Sequence, residues 1–589
     1  MDLSKLFSTL SIRILRFLCV LCVLCVLCGA TRVFALDRDA FTFTKYDLEV
    51  RLDPESHQLA ARGKITLRND SAEPQKSVAL QISSSLDWRM IELDGQQLEY
   101  IAQSYTTDLD HTGAANEADI KLPNAVAPQH SIELEVGYSG SIEVSTERLK
   151  RLEAPQSAAD ASEWDQIGDP FTALRGVGHV LWYPVSMPAV DLLAGELSSA
   201  VGRWQARQQQ TEMQLKACWI APEDRRLTVL SNGQFESIGG DTQHEGASTG
   251  CSSFRFSPVG NTVPMLALGQ FQVLQRQQMN LYYLGETKSD AEDFALAAEK
   301  VRPLITEWFG EAHSTLQVID LPVPNGDPFE SGTTLIAPFK MDPRVTELTM
   351  AHSWVHAAFH SRRPWIDEGL AHFAQALQRE RQDGRKAAIA YLQTRLPALT
   401  PNANETSAAN SASNALANTV DDNIYRNKGM YVWWMLRDML GDKALQAAIQ
   451  NYRPEQDKEQ SYMQRLLQAQ TKRNLEWFFD DWVYRDRGLP DLRIVSATPR
   501  ETLNGSFVVA VTVENQGTAT AEVPVIARGE NGESSARLQV GPKQKETTRV
   551  AVQGKPQQVI VNDGSVPELK PGGHVFKFPA NAESSSSGT

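Results

Sequence analysis

The stretch that decides the fold is Thr349–Phe373, which reads TMAHSWVHAAFHSRRPWIDEGLAHF. It places two histidines, His352 and His356, four positions apart. Because a helix turns once in about 3.6 residues, both side chains share one face, and apolar neighbours at the same spacing predict that this face is buried. Pro364 disfavours a helical residue before it and therefore predicts a turn. A second helix then begins with Glu368 in its first turn, which returns a carboxylate toward the histidines.

Two histidines and one carboxylate form the ligand set of a catalytic zinc site. A structural zinc site is closed by four protein ligands, whereas a catalytic site uses three and leaves one position open. A histidine pair at this spacing is, on its own, more often a feature of packing than of metal binding. The WIDEGLA segment that follows favours the metal site, with Zn²⁺ held by His352, His356 and Glu368.

Other segments carry motifs that extend this interpretation along the chain. The chain resembles the membrane alanyl aminopeptidase family in three segments. The context of that family's ligand glutamate resembles DEGLA, and its Y-x-K-G helix resembles YRNKGMYVWWMLRDMLGD. The helices by which its peptidase domain leads into a β domain resemble NLEWFFDDWVYRDRGLPDLRI. These enzymes are gluzincin zinc metallopeptidases, and the resemblance covers nearly the whole chain after its first residues. It implies that His352, His356 and Glu368 bind zinc and that the substrate or partner is a peptide or protein.

The chain departs from the family pattern at several positions. Ser353 stands where the family keeps the glutamate that acts as general base, and the interval from His356 to Glu368 is shorter than in the better-known members. The tyrosine expected to stabilise the oxyanion is Tyr425, one residue further from the Lys-Gly pair than usual. PFESGTTL replaces the G-x-M-E-N exopeptidase strand. Its Glu330 could bind the amino terminus of a substrate, or could be a surface glutamate in a turn.

Ser353 puts the catalytic activity in question. Positioned acid–base catalysis contributes roughly 10²–10⁴-fold to the rate, and a neutral serine hydroxyl cannot supply it at pH 7. Either another carboxylate reaches the attacking water, Asp367 and Glu330 being the nearest in sequence, or the site binds peptides with little turnover. His360 and His372 could orient a zinc ligand, although a turn residue and a partly exposed helix residue are the plainer interpretations.

Three functions therefore stay open from the sequence. The first is an exported zinc metallopeptidase of the aminopeptidase family. The second is a catalytically inactive, zinc-binding pseudopeptidase that acts as a binding or scaffold protein. The third is a metal-free envelope protein that interacts through its β domains. Zinc content separates the third from the others, and turnover separates the first two.

Composition and charge narrow the class of protein. The chain has 589 residues, which favours two to four domains, and 42% hydrophobic with 22% charged residues is ordinary for a globular protein. The formal net charge of −15 gives no electrostatic support to nucleic-acid binding or to a basic lipid-binding surface.

The first 35 residues predict a signal peptide. Lys5, Arg13 and Arg16 precede the apolar run FLCVLCVLCVLCGA, which is too short to span a bilayer comfortably, and VFA ends at Ala35 as a plausible cleavage site. The chain is therefore expected in the periplasm, the cell envelope or outside the cell. An uncleaved leader, which would act as a membrane anchor, is the alternative.

Export changes the interpretation of the cysteines. Four of the six lie in the apolar run and behave there as small hydrophobic residues. Only Cys218 and Cys251 remain, in one β-rich region, and an oxidising compartment favours a disulfide between them over two buried thiols.

Changes in hydrophobic period predict a multidomain α+β protein. The resemblance implies a saddle-shaped β domain and a thermolysin-like peptidase domain, and short alternating strands predict an immunoglobulin-like β-sandwich. The predicted segments are a signal peptide (1–35), an antiparallel β domain (36–275) with a polar, mobile insertion (143–169), a peptidase domain (276–488) with a low-complexity loop (400–420), a β-sandwich (489–578) and a disordered tail (579–589).

Overall fold

A computed structural model describes residues 36–244, 247–399, 415–502, 505–570 and 574–579. The predicted signal peptide, most of the predicted low-complexity loop and nearly all of the predicted tail lie outside these residues. Across the described ranges, none of the helices combines the length and the apolar character that crossing a bilayer requires.

The elements are numbered here in chain order. The strands are β1 Phe41–Asp53, β2 Gln58–Asn69, β3 Gln75–Ser83, β4 Leu86–Leu93, β5 Gln96–Gln97, β6 Tyr100–Thr106, β7 Ala114–Val126, β8 Ser131–Ser141, β9 Phe171–Leu174, β10 Glu212–Pro222, β11 Thr228–Ser231, β12 Gln234–His244, β13 Ala247–Phe256, β14 Leu266–Gly269, β15 Phe271–Arg276, β16 Met279–Leu284, β17 Leu316–Asp320, β18 Phe329–Ser331, β19 Thr334–Ala337, β20 Leu492–Glu501, β21 Ser506–Asn515, β22 Ala521–Gly529, β23 Gly532–Val540, β24 Lys545–Gln553, β25 Pro556–Val561 and β26 His574–Lys577. The α-helices are α1 Glu147–Lys150, α2 Gln156–Ser162, α3 Leu197–Gln208, α4 Lys288–Phe309, α5 Pro343–Ala358, α6 Pro364–Asp383, α7 Arg385–Thr394, α8 Asp422–Leu440, α9 Asp442–Gln450, α10 Tyr462–Gln468 and α11 Glu476–Phe479.

The N-terminal region is built on an eight-stranded sheet in the order β12-β13-β10-β1-β2-β8-β4-β5. Alternating burial along β1 and β2 shows that one face of this sheet packs on the core, as their alternating sequence predicts. The prediction of a purely antiparallel domain was wrong in one pair, because β1 and β10 run parallel. The structure joins Cys218 and Cys251 in a disulfide, and these two residues face each other across β10 and β13.

The predicted mobile insertion is an ordered part of the N-terminal region. It contains α1 and α2, and the buried Arg148 donates from Nε to Glu163 Oε1 at 2.6 Å. Arg175 binds Asp165 in the same way at 2.8 Å. The prediction of a mobile loop was therefore wrong, since buried charges of opposite sign hold this segment in place.

The central region combines a five-stranded sheet, ordered β15-β16-β17-β19-β18, with the helices α4 to α11. The hairpin of β15 and β16 spans the predicted boundary at residues 275 and 276 and belongs to this sheet. Trp354, Trp365 and Trp433 are fully buried between α5, α6 and α8. The strand β18 lies at the edge of the sheet and reaches toward these helices.

The C-terminal region contains two antiparallel sheets, ordered β20-β21-β24 and β23-β22-β25-β26. Their inward valines join the same hydrophobic core as the helices of the central region. Trp482 marks this continuity, because its indole nitrogen donates to the carbonyl oxygen of Thr520 at 2.9 Å. The C-terminal sheets therefore pack directly against the helices of the central region.

Candidate metal centre

The two histidines lie side by side on α5. Asp342 caps the start of the helix by accepting from the Arg344 backbone nitrogen at 2.8 Å. The Nε2 atoms of His352 and His356 are 3.1 Å apart, and the two side chains are 12% and 10% exposed. Both imidazoles therefore present a ring nitrogen to the same small volume, as the four-residue spacing predicts.

Glu368 enters this volume from α6. Helix α5 ends before the extended Phe359, and α6 begins at Pro364, so the short turn is sufficient to return the chain. Glu368 Oε2 lies 3.5 Å from His352 Nε2, and Oε1 lies 3.6 Å from His356 Nε2. The shorter interval between the motif halves does not keep the carboxylate from the histidines.

The three side chains fit a zinc ion. Bonds of about 2.0–2.2 Å in a tetrahedron separate neighbouring ligand atoms by roughly 3.3–3.6 Å. The separations between the three side chains are 3.1, 3.5 and 3.6 Å. Glu368 Oε2 is also a buried oxygen that accepts no hydrogen bond, although Arg426 Nε lies 3.2 Å from it, and a bound cation would give it a further partner.

Asp367 faces the opposite side of His356. Its Oδ2 lies 3.7 Å from His356 Nδ1, and its Oδ1 accepts from the Ser361 backbone nitrogen at 2.6 Å. At this distance the carboxylate makes no hydrogen bond to the ring, but its charge favours a proton on Nδ1, which leaves Nε2 free for a metal. His360 Nδ1 lies 3.6 Å from Asp367 Oδ1, but the His360 side chain is 65% exposed and lies in the turn between α5 and α6.

Glu330 approaches the histidines from the edge strand β18. Its Oε2 accepts a hydrogen bond from Ser353 Oγ at 2.7 Å. Its oxygens lie 4.0 Å from His352 Nε2 and 3.8 Å from His356 Nε2, and its side chain is 17% exposed. Burial raises the pKa of Glu330 to about 7. The carboxylate of Glu330 thus lies next to Ser353 and on the Nε2 side of the two histidines.

Tyr425 and Arg426 come from the start of α8. Tyr425 is nearly buried in the wall of the cavity described below, and burial raises its pKa. Arg426 Nε lies 3.2 Å from Glu368 Oε2, and Nη1 lies 3.4 Å from Asp422 Oδ2. Sequence reasoning missed Arg426, although a cation beside the predicted Tyr425 was a signal for it.

His372 lies one helical turn after Glu368. Its ring centroid is 4.7 Å from that of His352, and a ligand atom of His372 lies within 4.8 Å of those of His352 and Glu368. Burial, followed by Arg426, lowers the pKa of His372 to about 3. His372 is therefore a neutral imidazole at the margin of the site.

The charged groups set the protonation of the candidate ligands. Burial opposes ionisation of Glu368, but Arg426 and the histidines hold its pKa well below the ordinary value. Burial and the neighbouring His372 lower the pKa of His352 well below its ordinary value. Burial alone would lower the pKa of His356, but nearby carboxylates, first Glu368, raise it. Glu368 is thus an anion and His352 a neutral donor at pH 7.

A cavity of ≈ 580 Å³ opens over these residues. Its walls come from the N-terminal region, including His179, from β18, and from the starts of α6 and α8. Glu330, His352, Glu368 and Arg426 all line it. The candidate metal centre is therefore reachable from a cleft between the N-terminal and central regions.

Comparison with solved structures finds chains of similar fold. No protein-family model matches the chain, and no curated protein matches it. The similar solved structures include a mutant M1 zinc metallopeptidase from Deinococcus radiodurans, with 17% identity, coverage of 76% of this chain and 95% of that chain, and a TM-score of 0.47. The mutant bound to a Tyr-Ser-Ala substrate has 16% identity, 76% and 95% coverage, and a TM-score of 0.46.

Proposed function

We propose that the protein is a zinc-dependent peptidase whose ion is held by His352, His356 and Glu368. The observation that carries this proposal is the convergence of three donor side chains at 3.1–3.6 Å, two of which, His352 and Glu368, line a ≈ 580 Å³ cavity. Such a set, with three ligands and an open side, suits a catalytic ion better than a structural one.

The bound zinc would supply Lewis-acid polarisation of a carbonyl and acidify water at neutral pH. The protein's own groups have separate tasks. Asp367 keeps the Nδ1 proton of His356 and so orients that ring. Arg426 holds Glu368 in its ionised form. The cleft gives an extended peptide access to this site, and the proposed role of Tyr425, which lines the cleft, is to donate a hydrogen bond to a developing oxyanion.

The proposed setting is outside the cytoplasm. Residues 1–35 are proposed as a cleaved leader, and association with a membrane would follow only if the leader is retained. A peptide or protein is the proposed substrate, and the net charge of −15 supports no nucleic-acid partner.

A second candidate function follows from Ser353. If no carboxylate serves as base, the same site would bind zinc and peptides without turnover, as in a pseudopeptidase that acts as a binding or scaffold protein. Ser353 is nearly fully buried and neutral, and it cannot itself move the proton.

One set of measurements separates these functions. Zinc content is measured on the protein as isolated, and hydrolysis is measured on aminoacyl and internal-peptide fluorogenic substrates with and without a chelator. One zinc per chain with chelator-sensitive turnover supports the peptidase. Zinc without turnover supports the pseudopeptidase, and absence of zinc rejects both. His352→Ala should lose the zinc, whereas the exposed His130→Ala should keep it as the matched control.

A further inference from the structure

We propose that Glu330, carried by β18, is the general base that Ser353 cannot be. This inference rests on the proposed peptidase function. It assigns the proton transfer to a residue 23 positions before Ser353 and in a different element.

The geometry distinguishes Glu330 from the other nearby carboxylate. Asp367 meets His356 at Nδ1, behind the ring, and is engaged by the Ser361 backbone. Glu330 meets both histidines from the Nε2 side, where the cavity lies. Both carboxylates line the cavity, but Glu330 is the one on the Nε2 side of the two histidines, where the ion and its attacking water would lie.

The distances also set Glu330 apart from the three candidate ligands. Its oxygens lie 3.8 and 4.0 Å from the histidine Nε2 atoms, whereas the Glu368 oxygens lie 3.5 and 3.6 Å away. A group slightly farther out than the ligands is suited to contact a water molecule rather than the ion. Glu330 Oε1 is moreover a buried oxygen without a hydrogen-bond partner.

Ser353 and Glu330 form a complementary pair. The serine hydroxyl donates to Glu330 Oε2 at 2.7 Å and leaves Oε1 free to accept a proton. A glutamate at position 353 would place a second carboxylate in the same space, where like charges repel. The serine is thus what allows the carboxylate of β18 to enter the site.

Contacts with the N-terminal region hold β18 in place. Ser331 Oγ accepts from Asn232 Nδ2 at 2.8 Å and donates to the carbonyl oxygen of Val263 at 3.0 Å. The guanidinium of Arg175 lies 5.9 Å from the centre of the Phe329 ring. Both sequence neighbours of Glu330 are therefore held by contacts. A general base has to stay within hydrogen-bond reach of the proton that it accepts, and these contacts keep Glu330 in position.

The proton and electron pairs balance as follows. The water oxygen forms a bond to the peptide carbonyl carbon, the π electron pair of the C=O bond moves onto the carbonyl oxygen, and one O–H bond of the water breaks as its proton passes to Glu330 Oε1. The oxyanion's electron pair then re-forms the C=O bond as the C–N bond breaks, the C–N electron pair stays on nitrogen, and Glu330 returns the proton to that nitrogen. The products are a carboxylic acid and an amine, and Glu330 is again a carboxylate.

The test compares four full-length proteins: the native chain, Glu330→Gln, the double variant Glu330→Gln/Ser353→Glu, and Glu347→Gln as a control on α5. Each is assayed for zinc content, melting temperature, and kcat and KM on peptides with free and with blocked amino termini. Glu330→Gln should keep one zinc and its melting temperature while kcat falls roughly 10²–10⁴-fold on both substrate types. The double variant should recover part of kcat, because its new side chain restores a carboxylate beside the histidines. Glu347→Gln should behave as the native chain.

Three results would overturn the inference. Loss of zinc in Glu330→Gln would make Glu330 a ligand. A rise in KM confined to peptides with a free amino terminus would make it a substrate-binding residue. Unchanged kinetics would remove it from the reaction. Each of these leaves the native chain active, whereas a zinc-loaded native chain without turnover rejects the peptidase function itself.

Discussion

Gly369 and Gly429 bring α6 and α8 into backbone contact directly beside the candidate metal centre. A Cβ added to Gly429 would lie 3.0 Å from the Gly369 Cα, and one added to Gly369 would lie 3.1 Å from the Gly429 Cα. The close approach follows from the absence of side chains on both helices. It places Glu368 of α6 next to Arg426 of α8.

Gly429→Ala should therefore disturb both stability and metal binding. The added methyl group has to push α8 away from α6, at a cost of about 1–3 kcal/mol for overpacking. Chemical denaturation should show this loss, and zinc competition with a fluorescent chelator should show weaker binding as Glu368 shifts. Unchanged zinc affinity together with lower stability would mean that the helix contact does not position the ligand.

Removal of zinc should destabilise the folded protein. A ligand that binds only the native state adds about 2.7 kcal/mol when its free concentration is 100 times its Kd. We expect the melting temperature to fall on chelation and to recover when zinc is added back. His356→Ala should have the lower melting temperature from the start and should no longer respond to zinc. An equal response of this variant would place the ion elsewhere.

Asp367→Asn should weaken zinc binding without abolishing it. Asp367 supports His356 from behind, and loss of such a partner typically costs 10–100-fold in metal affinity. Competition with a chelator of known affinity measures the effect. Asp383→Asn, at the exposed far end of the same helix, is the matched control and should leave the affinity unchanged.

Asn232→Ala should lower kcat while zinc stays bound. Asn232 lies in the N-terminal region, where Nδ2 donates to Ser331 Oγ at 2.8 Å and Oδ1 accepts from the Met265 backbone nitrogen at 3.1 Å. Without it β18 has fewer restraints, so Glu330 is less often in position. The informative comparison is kcat against zinc content, since a loss of both would indicate general misfolding.

A pH-dependent part of stability is expected in the C-terminal region. His574 has a raised pKa, chiefly because it forms a hydrogen bond to Glu568 at 3.0 Å. Burial acts in the opposite direction, and the negative charge of Glu568 raises the pKa further. A raised folded-state pKa stabilises the protein below the unfolded-state pKa, and this contribution is lost as pH rises through the folded-state pKa. His574→Gln should thus cost roughly 1 kcal/mol in unfolding free energy at pH 5.5 and little at pH 8.5. The exposed His313→Gln should cost little at either pH.

Local sequence was sufficient where a feature depends on one or two helical turns. The shared face of His352 and His356 follows from helical periodicity, and the turn before Pro364 follows from the geometry of proline. These features need no distant partner, so the residues themselves specify them.

Features that depend on distant partners were not predictable in the same way. The segment around Glu163 is polar and was expected to move, yet Arg148 and Arg175 neutralise its charges in the interior. The parallel pairing of β1 with β10 joins residues 167 positions apart, such as Lys45 and Glu212. Alternating polarity identifies a strand, but it does not say which neighbour that strand takes.

The sequence by itself determined a histidine pair on one helical face, a following glutamate, and a serine where a base was expected. Only the tertiary structure decided which other groups meet them. Glu330 arrives from an edge strand held by the N-terminal region, and Arg426 arrives from a helix that closes on α6 through two glycines. The physical reason is that helical periodicity acts over a few residues, whereas the placement of a charge from elsewhere depends on how whole elements pack.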